Sequence, residues 1–261
     1  MYWIVTLQHH TLVRRPPPGN PICAQYRKCP PTVLLVVGKH DTVLLPVSSG
    51  GQYPGAGRQE QPARETVHDV AVVSQAAWDR RDGLRMLTLA QAAHNGPWEL
   101  PPLVRAEVAQ QEARGLAMTG EAGSVDAKLD EAWCVLDEVS PIPGELGSHY
   151  DSSLLTMQTA ICYCEAGQPG RAADLYRSRL DNERFSHRDR GYFLSLMASA
   201  SAQAAEPDNA TDAGQEALTI AVETSSRRTV HELTRVCALL EPWRARPAVR
   251  DLRDAVLLSG G

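Results

Sequence analysis

The sequence predicts an all-α fold, a helical repeat array or α-solenoid over residues 65–258, preceded by a poorly ordered N-terminal segment over residues 1–64. Three observations predict it: helix-period segments joined by short turns, small residues recurring where helices cross, and a composition break near residue 60. The clearest unit runs from Ala160 to Tyr176, two short amphipathic helices around Gly167-Gln168-Pro169-Gly170. Ala160 and Ala172 lie on opposite sides of that turn, where a bulky side chain would hold the helices too far apart to pack. Ala113 with Gly120, and Ala198 with Ala205, repeat the seven-residue interval of Ala160 with Gly167. Successive units start 47 and 38 residues apart, and the run Ser140-Pro141-Ile142-Pro143-Gly144-Glu145-Leu146-Gly147 accounts for the longer interval.

The remaining elements follow in chain order. Val70 to Trp78 and Leu84 to Ala93 form a weaker first unit. The run Asp126 to Glu138 is helically spaced, with Ala127, Leu129, Ala132, Trp133 and Leu136 on its apolar side, so its carboxylates form a solvated face. Ser186 caps the helix that begins near His187, with Asp189 completing a capping box. Glu206-Pro207-Asp208 makes the turn of the third clear unit, and Ala210, Gly214, Ala217 and Leu218 continue its pattern. Ser225 to Leu240 and Pro247 to Leu257 close the array.

The three clear units resemble tetratricopeptide repeats. Ala160, Tyr163, Gly167, Ala172, Tyr176 and Leu180 stand at the motif's eighth, eleventh, fifteenth, twentieth, twenty-fourth and twenty-eighth positions. Thr156 stands where the consensus has Trp, and Arg179 where it has Ala. Trp98-Glu99-Leu100-Pro101-Pro102, the run Arg105 to Gly115, Arg188 to Leu194 and Pro242 to Arg250 resemble a more specific group. It is the C-terminal half of actinobacterial XRE-type helix-turn-helix transcriptional regulators, in which a small DNA-binding domain precedes a helical repeat array. The resemblance covers residues 65–258, and nothing before it resembles the DNA-binding domain.

Charge divides the chain at the same place. Residues 1–60 hold six Lys and Arg against two Asp and Glu, net +4; of the totals of 26 and 31, this leaves 20 against 29, net −9. The leader also holds eight of the 18 prolines. Its one ordered candidate is a hairpin in which Val33-Leu34-Leu35-Val36-Val37 and Thr42-Val43-Leu44-Leu45 flank Gly38-Lys39-His40-Asp41. An upstream start or an altered frame, in place of a DNA-binding domain, accounts for such a leader. No apolar run approaches the ~20 residues of a membrane helix, and Met1 to Val13 lacks the features of a signal peptide, so a cytoplasmic location is expected.

The chemical motifs are weak. Six irregularly spaced cysteines do not suggest a disulfide framework. Cys162 and Cys164 straddle Tyr163, about 200° apart around a helix, so the thiols do not readily share a metal; Cys23 and Cys29 lack partners at zinc-site spacing. Gly50-Gly51-Gln52-Tyr53-Pro54-Gly55 imitates a phosphate loop, but Ala56 and Gly57 replace its Lys and Ser/Thr, and a linker accounts for it. His187-Arg188-Asp189 spells the kinase catalytic triplet, but Leu194 replaces the metal-binding Asn. The eight histidines are scattered. Arg244, Arg246, Arg250 and Arg253 cluster, but Glu241, Asp251 and Asp254 lie among them and reduce their field. No catalytic set, metal site or cofactor is expected.

What remains is the surface that stacked helix pairs make. Position-for-position likeness to tetratricopeptide motifs implies a concave groove lined by Gln110 and Arg114, then Met157 and Ile161, then Tyr192, Ser195 and Ser199, some of which pack against neighbouring helices instead. The resemblance implies a non-enzymatic module binding a peptide, protein, second protomer or small-molecule effector, the sensor half of a transcriptional regulator. The alternatives are a truncated remnant without activity, a DNA-binding regulator or a small enzyme. Sequence-specific DNA binding by this chain alone is not expected, since it offers no element to read base edges and no coherent positive surface.

Overall fold

The computed structural model describes residues 32–37, 41–46, 77–96, 99–139, 142–143, 147–180 and 185–259. Residues 77–259, where described, are helices and turns. In the leader, β1 (Thr32–Val37) pairs antiparallel with β2 (Asp41–Pro46), with Val33 opposite Leu45 and Val37 opposite Asp41. The hairpin expected from the two apolar runs is thus formed. Cys23, Cys29, the Gly50–Gly57 run and Trp98 lie outside the described residues.

A helix ends at residues 77–79. After it come α1 (Gly83–His94), α2 (Pro102–Thr119), α3 (Val125–Glu138), α4 (Ser152–Glu165), α5 (Pro169–Arg179), α6 (His187–Gln203), α7 (Pro207–Glu223), α8 (Arg227–Leu239) and α9 (Pro247–Ser259). Local chemistry sets their starts. Asp82, Asp151, Ser186 and Ser226 cap α1, α4, α6 and α8 by accepting from a backbone N–H three residues on. Pro102, Pro169 and Pro207 open α2, α5 and α7, where a missing N–H costs nothing. At α6 the expected box is modified: the Asp189 N–H donates to Ser186 Oγ at 3.1 Å, but the Asp189 carboxylate accepts from the Ser186 hydroxyl at 2.6 Å.

Five helix ends share one geometry. The N–H of Asp82, Glu121, Gln168, Glu206 and Ser226 donates to the carbonyl of Ala77, Leu116, Tyr163, Ser201 and Ala221 at 2.9, 2.9, 2.8, 2.9 and 2.8 Å. The residue before each donor is left-handed, with φ of 59° at Arg81, 86° at Gly120, 76° at Gly167, 61° at Ala205 and 51° at Ser225. This is the six-to-one closure that satisfies orphan carbonyls where a helix must stop and reverse. Gly120, Gly167 and Ala205, the three positions matched in sequence, are among the five.

Each helix packs on the next in the chain. In addition α2 touches α4, α4 touches α6, α6 touches α8, and α7 touches α9. Ala160 and Ala172 are fully buried, as are Ala113, Ala198, Ala210 and Ala217. Tyr176, Met157, Leu233 and Leu252 fill the spaces left between such small residues. The α3 stripe is narrower than expected. Val125, Leu129 and Ala132 are buried and Trp133 and Leu136 half-buried, but Ala127 is exposed, because its position faces away from α2 and α4.

Two substitutions test opposite sides of this design. A Cβ at Gly115 would lie 2.6 Å from the Leu87 Cα, a backbone atom that cannot rotate away. Gly115→Ala should therefore cost ~1–3 kcal/mol by overpacking the α1–α2 crossing, more than the ~1 kcal/mol of helix propensity it gains. Ala205→Gly should stabilise, by up to ~1 kcal/mol, because a left-handed Ala carries a steric penalty that Gly lacks. Urea unfolding of both variants checks the signs, and a stable Gly115→Ala protein would contradict the close approach.

Candidate ligand groove

The seven residues expected to line a groove come from three helices. Gln110 and Arg114 stand one turn apart on α2, Met157 and Ile161 one turn apart on α4, and Tyr192, Ser195 and Ser199 along one face of α6. In the structure Gln110, Arg114, Met157, Ile161, Tyr192 and Ser195 are buried and Ser199 is half-buried. They lie inside a packed interior rather than along an open channel. Met157, Ile161 and Tyr192 belong to the main apolar cluster.

Polar members of the set divide by whether they have partners. Gln110 Nε2 reaches Cys162 Sγ at 3.8 Å, and its Oε1 accepts from the buried Tyr150 hydroxyl at 3.4 Å. The Ser195 hydroxyl donates to the Tyr192 carbonyl at 2.6 Å, and Ser199 Oγ accepts from Gln203 Nε2 at 3.3 Å. These groups are occupied within the fold. Arg114 is different: it is 2% exposed, and its Nε and Nη2 have no hydrogen-bond partner.

What covers Arg114 is a turn the sequence did not single out. The Trp78 ring lies 4.9 Å from the Arg114 guanidinium carbon and 4.8 Å from that of Arg81, and Trp78 is 2% exposed. Arg81 Nη2 pairs with Glu165 Oε2 on α4 at 2.6 Å. Arg235 Nη2 on α8 donates to the Asp79 carbonyl at 3.0 Å. Tyr192 of α6 neighbours Trp78, with the indole N–H facing the Tyr192 hydroxyl. Residues 78–81 therefore touch α2, α4, α6 and α8 together. A stretch of four residues holds these helices around one point.

The interior shifts its titratable groups in the direction burial dictates. Desolvation raises the Tyr192 hydroxyl against the opposing Arg228 guanidinium, which stacks 3.6 Å from the ring centroid. Tyr176 rises well above its ordinary value for the same reason. Burial pushes the Cys162 thiol up to about 11 and the Cys164 thiol up to about 12, so both stay protonated at neutral pH. Cys162 faces Gln110 on α2, whereas Cys164 accepts from Gln203 on α6 at 3.1 Å. Among the described residues no group of three or more His, Cys, Asp and Glu could hold a metal ion, and no helix is long and apolar enough to cross a membrane.

The other sequence motifs are absorbed by ion pairs. Arg244 and Arg253 reach Glu241 at 2.8 and 3.7 Å, and Arg246 reaches Asp208 of α7 at 2.6 Å. His187 Nε2 lies 2.8 Å from Glu223 Oε2. Trp78, Arg81, Glu165 and Arg235 were missed because their pairings span 84 and 156 residues, a separation no local spacing encodes. No protein-family model, curated protein or solved structure matches the chain.

Two measurements probe this interior. Trp78→Ala should cost ~3–5 kcal/mol in urea unfolding, the usual range for a large buried aromatic; a loss under ~1 kcal/mol would show that the turn does not hold the helices. Glu107, on α2 near Arg114, is raised above its ordinary 4.5 first by burial, with His149 and Arg114 opposing. The folded state then holds this proton more tightly than the unfolded chain, so the group's contribution falls as pH rises through its raised folded value. As pH rises above the ordinary 4.5 of this carboxyl, Glu107→Gln should gain stability relative to wild type. A difference that does not change with pH would remove Glu107 from the account.

Proposed function

We propose that residues 65–258 form a tetratricopeptide-like helical repeat module that binds a peptide, protein or small-molecule effector without catalysing a reaction, as the regulatory half of a helix-turn-helix transcriptional regulator. The observation that carries this reading is the convergence of α2, α4, α6 and α8 on the Trp78–Arg81 turn. Next-but-one contacts along the helices and the shared turn geometry support the array. The matched positions Ala160, Tyr163, Gly167, Ala172, Tyr176 and Leu180 support the motif.

In such a module the signal is a change of curvature. Because α2, α4, α6 and α8 share one set of inner contacts, a ligand replacing part of those contacts alters the spacing of all four. It shifts the array toward one curvature only by the difference in its affinity for the two. An attached domain or second protomer then experiences a different surface.

Selection of a displayed random-peptide library on the full chain, followed by hydrogen exchange, tests the reading. A selected peptide should slow exchange in α2, α4 and α6. Protection confined to α3, α5 and α7 would move the binding face to the opposite side of the array, and failure to enrich any binder would remove the module reading. In parallel, the chain should enrich no motif from random duplexes at physiological salt, where phosphate attraction alone gives only salt-sensitive binding. An enriched motif would establish DNA reading instead.

A further inference from the structure

The buried interior holds five polar atoms without partners around one point: Arg114 Nε, Arg114 Nη2, Trp78 Nε1, Tyr176 OH and Tyr192 OH. All five can donate. The two tyrosine hydroxyls can also accept, and Tyr192 faces the Trp78 indole N–H, which leaves the two Arg114 donors with the fewest acceptors. Trp78 stacks on Arg114, Tyr192 neighbours Trp78, and both Tyr176 and Tyr192 feel the Arg114 charge.

Glu107, on the same helix as Arg114, is half-buried and feels the Arg114 charge, but its ion pair is with His149 at 3.8 Å. The other carboxylates around this interior are committed elsewhere. Glu165 pairs with Arg81 at 2.6 Å, Glu232 with Arg235 at 2.7 Å and Glu112 with Lys128 at 3.0 Å. A guanidinium stays charged wherever it is placed, so burying one without an anion is costly. Its open atoms are not a random pair. Nε–H and Nη2–H lie on one edge of the planar guanidinium and point the same way, the side-on fork that matches the two oxygens of a carboxylate. One buried positive charge calls for one negative charge, which favours a carboxylate over a doubly charged phosphate.

We propose that the Nε–Nη2 edge of Arg114, near the Tyr192 hydroxyl and the Trp78 indole N–H, is a carboxylate-binding point in the interior closed by the Trp78–Arg81 turn. The proposal rests on the binding-module reading above and names the chemistry its ligand carries: a free organic acid or the terminal carboxylate of a peptide. Arg114 takes the two oxygens side-on, and Tyr192 donates from the side. Trp78 lies over the face of this guanidinium, and Arg114 is itself 2% exposed, so entry moves the Trp78–Arg81 turn. The tethers of that turn, the Arg81–Glu165 pair and the Arg235 bond to the Asp79 carbonyl, reach the protein surface.

The test follows the thermal midpoint of the full chain, wild type, Arg114→Lys, Arg114→Met and Tyr192→Phe. The probes are acetate, benzoate, and a pool of random tetrapeptides with free or amidated C-termini, with chloride and phosphate as ionic-strength controls. At least one carboxylate probe should raise the wild-type midpoint saturably while chloride, phosphate and amidated peptides do not. Arg114→Lys keeps the charge but loses the fork, and should bind about tenfold more weakly; Arg114→Met should not respond. Tyr192→Phe removes one hydroxyl from an intact fold and should also weaken the response.

A response to benzoate or acetate identifies a free acid, and one confined to free-terminus peptides identifies a peptide terminus. The absence of a saturable response to every acid probe overturns the proposal, as does an unchanged response in Arg114→Lys and Arg114→Met. Equal binding of free and amidated peptides would remove the carboxylate while leaving the binding module intact. If neither an acid probe nor a peptide in any form binds, both readings fall together.

Discussion

The structure depends on how closely its helices approach, and that approach is set by residues with little or no side chain. A Cβ at Gly115 would lie 2.6 Å from the Leu87 backbone, one at Gly191 would lie 2.5 Å from Ile220, and one at Gly214 would lie 2.8 Å from Leu252. Buried alanines at 113, 160, 172, 198, 210 and 217 extend the same rule to the other crossings. At Gly115 the opposing atoms are backbone, so a methyl group there has nowhere to go, whereas at Gly191 and Gly214 it meets side chains that must shift. Large buried side chains such as Tyr176, Met157 and Leu252 pack beside these small residues.

Trp78 is the most consequential of the large buried side chains. It sits where α2, α4, α6 and α8 converge, and its turn is tied to two of them by an ion pair and a backbone hydrogen bond. Burial of a Trp is strongly favourable, but it places the ring over a guanidinium that has lost its water. Cation–π attraction compensates part of that loss and leaves the in-plane donors of Arg114 unmatched. The apolar ring closes the interior, and the cation beneath it keeps an unmet demand for an acceptor.

Burial raises the cysteines and tyrosines of this region above their ordinary values. Thiols raised to about 11 and about 12 are protonated and poorly nucleophilic at neutral pH. The two cysteines also bridge different helix pairs, Cys162 toward α2 and Cys164 toward α6. Their roles are those of small packing residues with weak polar contacts. The clustered arginines near the C-terminus are likewise drawn into ion pairs with Glu241 and Asp208, which lowers the field they present to an anion.

The sequence by itself determined the helices, their caps and their turns, because those are local. Gly120, Gly167 and Ala205 recur at a fixed interval after a buried alanine, and each adopts the left-handed conformation that ends its helix. The faces carrying Gln110, Arg114, Met157, Ile161, Tyr192 and Ser195 were legible from helical spacing alone. Their burial was not. Whether a face opens to water or is covered depends on what returns to it from elsewhere in the chain, and here Asp79 meets Arg235 across 156 residues. Only the tertiary structure decided that Trp78 fills the point of convergence and that Arg114 is sealed beneath it. Spacing records which side chains share a face; the desolvation of a charge arises only when distant segments close over it.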